Sequence, residues 1–265
     1  MSGATGRPGL GRLLEVQVQV LRALVIRDMQ SQQANLVHGW AWVFFDAFLA
    51  FAALLIMKLA IRAFNPPGVP PITFIVSGLI PWLMFSACHN LPDGAIKRGK
   101  KLLALPIVTE LDLVVASAIR IFMTFAILFL VLATVAGFYE HVPFPRVPIG
   151  ILLLFVCLWL MGVCFGVMLM ALNRLYQPAA KFVAFFLRFS TIISGVIFSV
   201  TMFPPSIWPY LAWNPFLHIE ELLRVYWFYS YETPIGSPLF VTQCLVGMLF
   251  LGLLLERYAR RRLPP

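Results

Sequence analysis

Three stretches, Ile121–Phe138, Val147–Leu172 and Thr233–Leu255, contain no Asp, Glu, Lys or Arg. Each is long enough to cross the roughly 30 Å of a bilayer's hydrocarbon as a helix, at ~20 residues per crossing. Hydrocarbon offers no partner to a backbone N–H or carbonyl, so segments of this kind must satisfy their own hydrogen bonds as helices. The rest of the chain agrees. Of 265 residues, 61% are apolar and only 12% charged, too few to clothe a soluble domain. The sequence reads as a multi-span, all-α integral membrane protein.

Apolar runs between breakers set the spans. Span 1 is expected over 40–61, entered by Trp40, Trp42, Phe44 and Phe45 and closed by Lys58 and Arg62. The turn Asn65-Pro66-Pro67-Gly68-Val69-Pro70-Pro71 ends it, because proline denies a helix both a donor and room. Spans 2 to 6 follow at 72–89, 113–138, 147–172, 180–203 and 236–256, making six transmembrane helices. Ahead of them, Leu10, Leu14, Val18, Leu21 and Val25 recur at helical spacing among Arg12, Glu15, Gln17 and Arg22. That pattern predicts an amphipathic interface helix within a cytosolic arm, 1–37, preceding a six-span domain, 38–265. The arm lacks the short apolar core and small-residue cleavage site of a signal peptide, so span 1 is expected to direct insertion.

Charge gives the orientation. Fourteen of the 20 Lys and Arg fall in the arm, the 90–112 loop, the 173–181 turn and the C-terminal tail, against four in the alternate loops. Positive residues stay inside, so both termini and the 90–112 loop are expected in the cytosol. The net charge of +9 is thereby absorbed by topology, and no nucleic-acid partner is implied.

The segment 204–232 lies between spans 5 and 6, on the expected outer side. With Phe203 it holds ten aromatic residues in thirty, including Trp208, Trp213 and Trp227. Pro204-Pro205 and Pro215 interrupt it, which predicts short re-entrant helices. Two uses of the rings stay open: an interfacial belt at headgroup level, or platforms stacking on sugar units that pass outward. Glu220 and Arg224 are spaced i, i+4 and are expected to pair.

Charge inside a span costs ~2.5–3.5 kcal/mol at mid-helix and calls for a partner or a wet cavity. Lys58, Arg62 and Lys181 can snorkel to an interface. Asp46, Arg120 and Arg188 lie deeper and are the candidate path residues, with Arg188 facing a path or pairing with Asp46. Gly94–Lys101 approaches a phosphate-binding G-x-x-x-x-G-K-[ST], but Lys101 stands where the metal-binding hydroxyl belongs and a membrane span precedes it. The chain is therefore expected to hydrolyse no ATP itself. The cluster Lys97, Arg98, Lys100 and Lys101, beside Leu102, Leu103, Leu105 and Ile107, reads as a short cytosolic helix that docks a partner. Cys88, Cys157, Cys164 and Cys244 are apolar packers. His38, His89, His141 and His218 are scattered, and neither a metal site nor a catalytic set is expected. Gly162-Val-Cys-Phe-Gly166 is a small-xxx-small pattern for close helix approach.

Three stretches carry a family likeness: Ala23–Met29 with His38–Trp42, Leu102–Asp112 leading into span 3, and Trp213-Asn214-Pro215 with His218, Glu220 and Arg224. In this order they resemble the membrane subunit of an ABC-2-type transporter, of the capsule polysaccharide exporter (KpsM) type. The resemblance implies a homodimer in the bacterial inner membrane carrying two copies of a cytosolic ATPase, which bind the ATP and Mg. It also implies a lipid-linked polysaccharide moved outward between the two permeases, a periplasmic adaptor, and docking through the surface helix and the 90–112 loop. Rival readings are an O-antigen or teichoic-acid glycan exporter, a small-molecule efflux permease, and a membrane enzyme acting on lipid-linked sugars.

Overall fold

The computed structural model describes residues 10–33, 39–60, 66 and 68–262; within its helices the side chains of residues 10, 12–14, 31–33, 39–43, 58–60, 188, 189, 191 and 192 lie outside that description. Among the described residues the chain is all helix and turn, with no strand. The helices are α1 (Leu10–Gln33), α2 (Gly39–Ala60), α3 (Pro71–His89), α4 (Leu91–Gly99), α5 (Glu110–Glu140), α6 (Pro148–Leu175), α7 (Gln177–Ile193), α8 (Trp208–Leu211), α9 (Pro215–Trp227) and α10 (Pro238–Arg262). Single 3₁₀ turns occupy Lys100–Ala104 and Val200–Met202.

Four of these, α3, α5, α6 and α10, are long and apolar enough to cross a membrane. They match the expected spans 2, 3, 4 and 6. In α2, at the place of span 1, the apolar run among described side chains is Phe44–Met57. Span 5 needs correction. Helix α7 stops at Ile193, ten residues short of the expected end, and its 17 residues cover only about 25 Å. The stop is local chemistry: Ser194 still bonds back to the Ser190 carbonyl, but Gly195 turns left-handed at φ 86° and carries the chain out of the helix. Apolar residues continue to Phe203, which is why hydropathy alone overran the end.

Helix α3 is the axis of the bundle. Phe74, Ile80, Met84 and Phe85 are essentially inaccessible to solvent, enclosed by α5, α6 and α9. The α3–α6 contact depends on Gly162 and Gly166. A Cβ on Gly162 would lie 2.8 Å from Cys88 Cβ, and one on Gly166 would lie 2.9 Å from the Cys88 carbonyl oxygen. The small-xxx-small pattern thus lets the α6 backbone touch that of α3.

Polar side chains fasten the two ends of the bundle. At one end the Glu140 carboxylate, last residue of α5, accepts from the Ile72 and Thr73 amides at 2.8 and 2.7 Å and from the Thr73 hydroxyl at 2.7 Å. Ile72 and Thr73 lie in the first turn of α3, where amides have no helical acceptor, so a neighbouring helix supplies the cap and an opposing charge for the dipole. At the other end α5 opens with a capping box between Thr109 and Asp112. Glu110 pairs with Arg174 at the end of α6, 2.6 Å away. Helix α1 lies along α5: Leu24 packs on Leu113 and Ala116, and Arg120 donates to Asp28 at 2.7 Å. The basic residues of α4, Arg174 and the last turn of α10 gather at this second end.

Candidate functional site

The segment between α7 and α10 is a packed polar lock. Where α7 unwinds, the carbonyls of Gly195, Val196 and Phe198 have no helical donors, and Arg224 of α9 reaches all three. Its Nη2 donates to Gly195 at 2.5 Å and to Val196 at 3.4 Å, and its Nη1 to Phe198 at 3.1 Å. The guanidinium also sits 3.8 Å from the centre of the Phe74 ring of α3. A planar fork of donors suits a cluster of exposed carbonyls, as a lysine's single ammonium would not. The countercharge is Glu221, 3.3 Å from Nη1 and, like Arg224, fully buried. Its carboxylate also accepts from the Val200 amide at 3.1 Å and the Tyr231 hydroxyl at 2.7 Å. Tyr231 in turn shares a hydrogen bond with Ser199 at 2.6 Å, which closes the network onto the unwound segment.

The expected Glu220–Arg224 pairing is therefore replaced by Glu221–Arg224. Glu220 is buried without a hydrogen-bond partner among the described residues. Burial pushes its carboxyl well above the usual carboxylate range, against the pull of Arg224, with Glu221 adding to the rise. A raised folded-state value means that the neutral acid's contribution is whole below the unfolded value and is lost as pH rises through the folded one. Glu220→Gln, an isostere of that acid, is accordingly expected to leave thermal stability in detergent unchanged or higher at neutral pH, and the advantage should grow with pH. A loss comparable to that of Glu221→Gln would refute the assignment.

Two caps hold α9 in place. Asn214 accepts from the Phe216 amide at 3.0 Å and donates to the Ile193 carbonyl at 3.2 Å, so one side chain starts α9 and ends α7. His218 donates from Nε2 to the Ala212 carbonyl at 2.9 Å and accepts the Ser237 amide on Nδ1 at 3.1 Å. That arrangement needs the neutral ring, and burial lowers its pKa accordingly. Sequence reasoning missed Glu221 and left His218 among scattered histidines that form neither a metal site nor a catalytic set. Neither spacing nor composition points to a buried partner contributed by a helix break.

Trp213 is 84% exposed, beside Tyr210 at 81%. The indole N–H of Trp208 is shared by the Val200 and Phe203 carbonyls, at 3.1 and 3.0 Å, which fixes its half-buried ring. Trp227 is only 7% exposed and meets Phe129 edge-on, so its ring belongs to the core. Asp46 and Arg120 come together on the wall of one cleft of about 420 Å³ between α2, α3 and α5, with Asn90, Ser86 and Thr124. Arg188 falls in α7, with its side chain outside the described residues, as are those of Trp40, Trp42, Lys58 and Arg62. Lys97, Arg98, Lys100 and Lys101 are all exposed, while Leu102 and Leu103 are drawn against α1 and α5 and Leu105 and Ile107 remain open. Gly94–Lys101 is helix and 3₁₀ turn, with none of the strand–loop–helix geometry that cradles phosphate.

No protein-family model matches the chain. It is similar to the polysialic acid transport protein KpsM of Escherichia coli, 26% identical over 251 residues covering 92% of this chain and 94% of that protein. The capsule polysaccharide export inner-membrane protein CtrC of Neisseria meningitidis serogroup A is 22% identical over 91% of each chain. BexB of Haemophilus influenzae, another capsule polysaccharide export inner-membrane protein, is 22% identical over 95% of each. The likeness in all three runs nearly end to end, and it bears out the family resemblance carried by the three stretches.

Proposed function

We propose that this chain is the membrane permease subunit of an ATP-driven exporter, moving lipid-linked capsular polysaccharide across the bacterial inner membrane. The observation that carries this reading is the similarity, over more than nine-tenths of the chain, to a polysialic acid transport protein and to two capsule polysaccharide export inner-membrane proteins, from three organisms. Two permeases form the translocation path, with both termini in the cytosol. Two ATPase subunits bind ATP and Mg and drive the cycle, and a periplasmic adaptor receives the polymer. Asp46, Arg120 and Arg188 provide charge along the path, and Trp208 and Trp213 provide ring surface near its outer mouth.

The ATPase docks on α4 and the turn after it. Support comes from four exposed cations beside exposed Leu105 and Ile107, on a helix fastened to α5 by buried Leu91 and Ala95. Reversing both charges, Lys100→Glu with Lys101→Glu, is expected to abolish co-purification of the ATPase and to cut surface polysaccharide at least tenfold. The yield of the permease itself should hold, because both side chains face solvent. Deleting the gene should leave polymer inside the cell. A fully active permease without any bound ATPase would overturn the reading.

A further inference from the structure

We infer that the end of the bundle remote from the basic loops carries a site for an anionic bilayer phospholipid, with Arg146 on the headgroup and an acyl chain between α5 and α6. A cleft of about 500 Å³ opens there, walled by Phe129, Leu130 and Ala133 of α5 and by Ile151 and Phe155 of α6, with Trp227 beside them. Its wall offers almost nothing polar: the Thr134 hydroxyl is already committed to the carbonyls of Leu130 and Val131. Water gains nothing in such a space, whereas a hydrocarbon chain fills it.

The level of the cleft is fixed by its rim. Phe138 and Phe144, 84% and 76% exposed, flank it where α5 gives way to the 141–147 loop. Tyr139 beside Phe138 is 76% exposed, and an amphipathic ring at the end of a span marks the boundary between acyl chains and headgroups. Arg146 follows Pro145, which lines the cleft, and its amide is pinned to the Trp227 carbonyl at 3.4 Å. Its side chain is exposed and has no partner among the described residues. The neighbouring carboxylate, Glu140, is engaged by Ile72 and Thr73 and does not compete. The other described cation at this end, Arg224, is fully buried. An exposed guanidinium at the lip of a dry, chain-sized cleft complements a phosphodiester above an acyl chain.

The test is native mass spectrometry of the purified protein, titrated with dioleoyl phosphatidylglycerol or dioleoyl phosphatidylethanolamine at equal concentrations. Phosphatidylglycerol is expected to be retained preferentially. Arg146→Gln should weaken that preference about fivefold, the weight of one interfacial cation, without changing phosphatidylethanolamine retention. Arg146→Lys should keep most of it. Leu130→Trp, at a position 65% exposed, should fill the cleft from its rim and reduce retention of both lipids. Equal retention of the two lipids by the unchanged protein would overturn the inference, as would Arg146→Gln or Leu130→Trp behaving like it. So would protein from capsule-producing cells that retains the lipid-linked polymer there and excludes phosphatidylglycerol.

Discussion

Replacing Arg224 with Met is expected to lower stability by about 3–5 kcal/mol, the range for breaking a buried ion pair from one side. For a domain of this size that is a fall in Tm on the order of 10 °C in detergent. The substitution strands Glu221, which is fully buried, and removes the donors from three carbonyls that α7 abandons when it unwinds. Arg224→Lys should recover only part of the loss, since one ammonium cannot span Gly195, Phe198 and Glu221 in the geometry of a fork. Removing both charges, as Glu221→Leu with Arg224→Met, should cost less than Arg224→Met alone, because no charge is then buried without its partner. A Tm of Arg224→Met within 2 °C of the parent, a margin of about 1 kcal/mol, would show that the network carries little weight.

The second large effect concerns the backbone contact between α3 and α6. At Gly166 even a methyl group meets the Cys88 carbonyl at 2.9 Å and His89 Cα at 3.1 Å, and neither is a flexible chain end that can swing aside. Gly166→Ala is expected to cost about 1–3 kcal/mol, and Gly166→Leu to prevent recovery of folded protein. Gly162→Leu should be equally damaging, because it meets the Phe85 carbonyl at 3.1 Å as well as Cys88. Gly247 in α10 is the internal control: nothing lies within 4 Å of a Cβ there, so Gly247→Ala should be neutral or slightly stabilising. Recovery and Tm by size-exclusion chromatography and thermal unfolding read the contrast directly. If Gly166→Leu and Gly247→Ala behaved alike, the close approach would not be a determinant of the fold.

Periodicity and hydropathy made the long elements legible. Helices α3, α5 and α6 begin and end within three residues of where charge, proline and apolar runs put them, and α10 runs six residues further, into the arginines of its last turn. The small-xxx-small pattern announced a close contact but not its partner, because a glycine spacing contains no information about which helix comes near. The end of α7 was misplaced for a physical reason. Apolarity persists through Val196, Ile197 and Phe198, while the structure is decided by Gly195 and by a guanidinium that arrives from α9. The carboxylate partner of Arg224 was likewise invisible. Spacings i, i+3 and i, i+4 both suit a helical pair, and the Val200 amide and Tyr231 hydroxyl hold Glu221, not Glu220, beside the guanidinium. Among candidate site residues, Asp46 and Arg120 came together on one cleft wall, whereas Trp227 went to the core because Phe129 and the α6 side chains enclose it.

The lock around Arg224 also sets an order for biogenesis. Its atoms come from residues 195–200, from α9 and from Tyr231, so no portion of the chain ending before Tyr231 can complete it. A nascent chain whose earlier helices have already entered the bilayer must hold the frayed end of α7 unresolved until about thirty more residues have emerged from the ribosome. During that interval Arg224 can already meet Glu221 and the 195–198 carbonyls, but the Glu221 carboxylate still lacks the Tyr231 hydroxyl. Tyr231 is therefore the last residue the network needs, and the lock closes only as the loop before α10 is added.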